Sequence, residues 1–137
     1  MHVDLTHDER LLLRYGLNQW GGPARCTDAF ALAMGFESRE RLHQDLPRLI
    51  DALEAEAPLS SEDWRRVLLA IEVVFVSDVV GAGLDWSIVT GFSDELSIQR
   101  LRSIQRKMPR WRGSFQFDSG VDGKVQIRDA DRPTESK

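Results

Sequence analysis

Carboxylates inside an apolar stretch are the first place to look for acid–base chemistry, because a buried acid must be neutral or paired. Glu72 and Asp78 sit in such a stretch, Val67 to Leu84. On a helix, residues with this spacing point about 240° apart, so the two do not converge as a catalytic dyad. The expectation is structural pairing with an arginine such as Arg65, Arg66 or Arg102. An active site built on Asp78 and Asp85 is a reading the sequence leaves open but does not support. His2 and His7 miss the i, i+4 spacing that puts two metal ligands on one helix side, and His43 stands alone on a polar face, so no metal site is expected. Cys26 is the only cysteine, which removes an internal disulfide and a multi-cysteine zinc site; it reads as a small buried hydrophobe. There is no glycine-rich phosphate loop, no Gly-x-Ser-x-Gly elbow and no cofactor motif. The sequence therefore reads as a non-enzyme without a cofactor.

Charge carries the clearest local signal. Ile98 to Arg112 holds Arg100, Arg102, Arg106, Lys107, Arg110 and Arg112 without one acid, and includes Trp111, an aromatic able to stack on a base or fill a pocket. Against this, Asp51, Glu54, Glu56, Glu62 and Asp63 form an acidic patch with no base between Ile50 and Trp64. A chain so polarised can steer a charged partner. Each patch has two readings. The basic segment is either a solvated helix face paired internally with acids, the first reading, or a surface for phosphate or an acidic partner. The acidic patch is either a solvated helix end, again the first reading, or a mimic of nucleic acid that occupies the basic groove of a nucleic-acid enzyme. The isoelectric point of about 5.4 weighs against a nucleic-acid domain. A helix-turn-helix over Thr27 to Leu46 meets only part of its test, because Arg39, Arg41 and Arg48 are matched by Glu37, Glu40, Asp45 and Asp51, leaving no net basic recognition surface.

The elements that must hold these groups are helical. Thr6 and Glu9 have the form of a capping box, opening a helix from about Asp8 to Gln19. Gly21-Gly22-Pro23 breaks it. A short helix runs from Ala24 to Met34, and Gly35 is fit to end it in a left-handed cap. Ser38 caps the next, whose Leu42, Leu46, Leu49, Ile50 and Leu53 make one apolar stripe, with a break or kink expected near Gln44 because Pro47 lies within it. Ser60 and Asp63 cap a segment, Glu62 to Val80, that is apolar on nearly every face and is expected to be the buried central helix. Gly81-Ala82-Gly83 ends it, and Asp85 to Gly91 is a loop or short turn anchored by Trp86. Ser93 caps the last helix, with Asp94 and Glu95 in its first turn and Arg106 and Lys107 in its last, matching the helix dipole at both ends; Pro109 stops it. Phe115 to Phe117 and Val125 to Ile127 alternate as two strands of a hairpin. Trp20, Trp64 and Trp86 read as core, Trp111 as an exposed anchor.

These elements make a mainly α domain: an irregular or orthogonal bundle of four to six helices around a buried central helix, with a short C-terminal β-hairpin. The chain has 137 residues, 42% hydrophobic and 29% charged, which fits one core over residues 1–128 and a polar flexible tail over 129–137. No signal segment or membrane span is legible, which makes the cytoplasm the expected address. Size, acidity and the lack of a catalytic set point to a small acidic protein-binding domain that inhibits or regulates a partner, as immunity proteins do toxins. The partner would be a toxin or a nucleic-acid enzyme. A nucleic-acid-associated regulator using residues 100–112 is the alternative, a small enzyme the third reading, and a homo-oligomer is left open.

Overall fold

Thr6 starts the first helix as its sequence predicts. Its hydroxyl accepts from the Glu9 amide, and the Glu9 carboxylate accepts from the Thr6 amide, so two otherwise unpartnered amides are satisfied reciprocally. The structure is a computed structural model that describes residues 1–22 and 24–109 in full and only the backbone of 115–119 and 125–129. Among the described residues the chain is mainly helical: α1 (His7–Trp20), α2 (Asp28–Ala33), α3 (Arg39–Glu54), α4 (Ser61–Val76), a 3₁₀ turn (Gly83–Asp85), α5 (Trp86–Thr90) and α6 (Asp94–Lys107).

Each cap has a chemical cause. Thr27, Ser38, Ser60 and Ser93 accept from the amide three residues on, opening α2, α3, α4 and α6. Gly35, at φ 97°, closes α2: its amide reaches the Leu32 carbonyl and the Phe36 amide the Ala31 carbonyl, the paired bonds of a Schellman end. α2 is shorter than the sequence suggests, because the chain from Ala24 to Thr27 is not helical.

The expected break near Gln44 is absent, and α3 runs unbroken through Pro47. Pro47 faces solvent, while Leu42, Leu46, Leu49 and Leu53 are buried on both sides of it. Four buried leucines at about 2 kcal/mol each outweigh the roughly 3 kcal/mol an interior proline costs. Asp45 lies between Arg41 and Arg48 at 3.5 and 3.7 Å.

The larger correction concerns α4. It ends at Val76 rather than Val80, and Ser77 is extended. Trp64, Val67, Ala70, Ile71 and Val74 are buried, but Leu69, Glu72 and Val73 are only half-buried and Val76 is exposed, so the helix is not covered on every face. The element that reaches most others is α1, which packs against α3, α4 and α6. Leu12, Leu13, Leu17 and Trp20 supply its buried face, and the Trp20 indole donates to the Ala70 carbonyl at 3.0 Å. Gly16 lets α4 close on α1, since a β-carbon there would run into the Ile71 side chain. Trp20, Trp64 and Trp86 are all in the core.

The expected C-terminal hairpin, the exposure of Trp111 and the expected polar tail lie outside the residues described in full.

Candidate functional site

The acidic patch of the sequence is divided by the fold. Asp63 is buried, accepting from Arg48 at 2.8 Å and from Arg66 at 2.9 Å. Those guanidiniums hold its carboxyl below the usual range against the opposing effect of burial. It is an internal clamp joining α3 to α4, not part of an open surface. Glu54 and Glu56 reach Arg14 and Arg10 of α1 at 3.7 and 3.2 Å, and Glu62 reaches Arg66 at 3.6 Å. Asp51 is exposed on α3. Glu56 takes φ 56°, a left-handed conformation uncommon outside glycine, just past the end of α3.

The basic segment is divided in the same way. Arg100 reaches Asp8 at 3.3 Å and lies over the Phe92 ring, and the Lys107 ammonium donates to Glu9 at 2.6 Å. Arg102 donates to Gln105, whose amide donates to Glu72 at 2.6 Å, so Glu72 meets Arg102 through a glutamine rather than directly. Arg106 is exposed. Arg110, Trp111 and Arg112 lie outside the described residues. Asp78 sits on a loop, with its carboxylate accepting from the Leu84 amide at 2.9 Å, and pairs with no arginine in that contact.

His43 has both ring nitrogens on backbone carbonyls, those of Arg39 at 2.9 Å and Trp20 at 3.1 Å. It edges a concavity of about 680 Å³ that also carries Arg25, Arg39 and Glu40, charges of both signs. Cys26 is buried beside it, and burial pushes its thiol pKa up, which fits the hydrophobic reading. Among the described residues no group of three or more histidines, cysteines and acids is disposed to hold a metal ion.

What sequence reasoning misses is the surface that begins where α4 stops. After Ser77 the chain doubles back: the Ala82 amide bonds to the Val74 carbonyl at 2.7 Å and the Gly81 amide to the Ser77 carbonyl at 3.1 Å. Gly81 passes so close to the α4 backbone that a β-carbon would lie 2.6 Å from the Val74 Cα. Gly83 has φ 46° and would meet the Asp78 backbone. Trp86 anchors the return, fully buried, with its indole donating to the Ser97 hydroxyl at 2.8 Å and its ring edge-on to Phe75 at 5.3 Å.

This turn leaves a groove of about 410 Å³ between the end of α4 and the start of α6. Phe75, Val76, Leu84 and Ile98 form its apolar walls, and Asp78, Asp94 and Glu95 its acidic margin. Of these walls Val76 and Leu84 are strongly exposed, at 70% and 82%, Ile98 is exposed at 36% and Phe75 is half-buried; Val79 and Ile88, outside the lining, add further exposed apolar side chains on the turn and on α5. Scattered apolar side chains on a surface need no explanation, whereas exposed ones gathered around one concavity form a patch. The charge is equally one-sided: residues 67–99 contain no lysine, arginine or histidine, while carrying Glu72, Asp78, Asp85, Asp94 and Glu95. That base-free run is the signal the sequence offers. Assigning Val79 and Val80 to a buried helix hides it, since only their release into a turn exposes the surface.

The groove offers apolar area and negative charge. The chain matches no protein-family model, no curated protein and no solved structure. Among the described residues no helix is long and apolar enough to cross a membrane.

Proposed function

We propose that this chain is a non-catalytic protein-binding domain that inhibits or regulates the protein it holds, in the manner of an immunity protein, and that its contact surface is the groove between α4 and α6. The observation that carries the reading is the exposure of Val76, Leu84 and Ile98 around one acid-rimmed concavity. Leaving such side chains in water forfeits about 25 cal/mol for each Å² of apolar surface, which a partner recovers by covering them. The acids of 51–62 contribute less, because Glu54, Glu56 and Glu62 each have an arginine within the chain. The basic run draws no support as a nucleic-acid surface from Arg100 and Lys107, which face Asp8 and Glu9. A cytoplasmic setting is part of the same proposal.

The test is affinity capture from the native host's lysate, treated with nuclease, using the wild-type chain and the variants Leu84→Ser and Ile98→Ser. One stoichiometric protein that both variants lose supports the reading, and adding the chain to that purified protein should then lower or alter its activity. Capture that depends on nucleic acid, or that the groove variants leave intact, overturns it.

A further inference from the structure

The groove's charge and its walls narrow what can occupy it. We infer that its occupant is a cationic amphipathic helix of another protein, its apolar stripe against Phe75, Leu84 and Ile98 and its lysines or arginines against Asp78, Asp94 and Glu95. This rests on the groove being the binding surface.

Three observations favour that occupant. The groove's lining holds Asp78, Asp94 and Glu95 and no base, so an occupant with flanking positive charge gains attraction, whereas an acidic one would set like charges together. The walls are helical or in a tight 3₁₀ turn: α4, Gly83–Asp85 and α6. Their backbone amides and carbonyls are largely engaged in helical bonds, so the groove offers side chains rather than a free strand edge, and an occupant must recognise it through side chains on one face. A helix with apolar residues at i, i+3, i+4 and i+7 does this. Finally, a second copy is a poor occupant. A two-fold self-contact places each residue against the same patch of its mate, so the Asp78, Asp94 and Glu95 margins of the two copies would meet. The chain's own basic helix, α6, cannot insert into a mate's groove either, because its apolar face of Leu101 and Ile104 is already buried.

The probe is a labelled synthetic helical peptide with leucine at i, i+3, i+4 and i+7 and lysine at the flanking positions, titrated with the full chain and followed by fluorescence anisotropy. A matched peptide carries glutamate in place of lysine. Saturable one-to-one binding of the lysine peptide is expected, weakened about tenfold or more by Leu84→Ser or Ile98→Ser, the loss for one uncovered aliphatic side chain. Asp94→Asn with Glu95→Gln should also weaken it and flatten its dependence on salt, since screening acts on the exposed charges. Glu54→Gln with Glu62→Gln should leave it unchanged. Circular dichroism of each variant checks that the helices persist.

Equal weakening by the Glu54 and Glu62 pair would mean diffuse attraction to an acidic protein and would overturn the inference. Tighter binding of the glutamate peptide, still lost in Ile98→Ser, would overturn the cationic occupant while sparing the groove as the contact surface. A wild-type dimer in sedimentation that Ile98→Ser dissociates would likewise replace the foreign helix by a second copy. Indifference of both peptides to Leu84→Ser and Ile98→Ser, together with lysate capture unaffected by them, would remove the groove itself.

Discussion

Glu9 is a carboxylate that the fold buries and then keeps charged, and acid should expose how much stability this supplies. Its side chain is 4% exposed. Burial alone would raise its pKa, but hydrogen bonds from Lys107, Ser103 and the Thr6 amide outweigh burial and bring it from 4.5 to about 2. A carboxyl with a depressed folded-state pKa stabilises the fold above its unfolded value and loses that contribution as pH falls through the folded one. The gap corresponds to about 3 kcal/mol at neutral pH, at about 1.4 kcal/mol per unit. Glu9→Gln keeps the shape and an acceptor but removes the charge, so it should cost up to about 3 kcal/mol near pH 7 and lower Tm by on the order of 10 °C. Urea unfolding of wild type and variant from about pH 7 down to about pH 2.5 tests the origin of that loss. The difference between the two should shrink to under about 1 kcal/mol at the acid end, where the wild-type carboxylate is itself becoming protonated. Other titrating groups, Asp63 among them, are common to both proteins and drop out of the difference. A gap that stays constant across the range would refute the reasoning, because it would mean that packing rather than the ionised contact with Lys107 is lost.

Three further outcomes are expected from the described geometry. Gly83→Ala, at φ 46° and against the Asp78 backbone, should destabilise by about 2 kcal/mol or more, and Gly81→Ala should do the same by pressing on Val74; thermal unfolding reads both, while Gly91→Ala, with φ 79° but open space around it, should show the smaller effect of conformation alone. Asp63→Asn should cost about 2 kcal/mol by leaving Arg48 and Arg66 without their shared carboxylate, and part of that loss should disappear when Arg48→Met is added, as a double-mutant cycle measures. The Cys26 thiol should react with an aromatic disulfide reagent at least about tenfold more slowly in the native protein than in denaturant, since burial both shields it and pushes its pKa up.

The helices are legible in the sequence where short-range chemistry decides them. Thr6 with Glu9, Ser38, Ser60 and Ser93 fix starts through bonds to amides three residues away, and Gly35 fixes an end through its own φ. Pro47 misleads because its local cost is visible in the sequence while the four buried leucines that override it depend on α3 meeting α1. The valines from Val73 to Val80 mislead for a related reason: hydrophobicity shows that they avoid water on average, not which of them the fold covers. Val74 is buried and Val79 is almost fully exposed, and the decision lies in the turn forced by Gly81 and Gly83. The charged patches can be located along the chain, but the pairing of each with α1, Lys107 with Glu9 and Glu56 with Arg10, requires contacts across 98 and 46 residues that no local pattern encodes.

That turn also bears on why the groove is read as a contact surface rather than a leftover of imperfect folding. An apolar side chain on a loop free to rearrange can gain by burying itself, each Leu or Val so hidden contributing about 1.5–3 kcal/mol. Here the rearrangement is blocked. The Leu84 amide is tied to the Asp78 carboxylate, the Ala82 amide to the Val74 carbonyl of α4 and the Gly81 amide to the Ser77 carbonyl, and Trp86 is fixed by Ser97 and Phe75. Leu84 is therefore presented outward by a loop whose own polar groups and two sterically confined glycines hold it in that position. Such preorganisation reduces the ordering entropy of association, so the area covered converts more fully into affinity than it would on a loose loop. Asp78 links the two properties of the site, because the same carboxylate that secures the Leu84 amide stands on the groove's acidic margin. Asp78→Ala should accordingly weaken partner binding more than Asp94→Asn does, by losing the loop's geometry as well as a charge, and equal effects of the two substitutions in the peptide titration would show that the loop contributes no preorganisation.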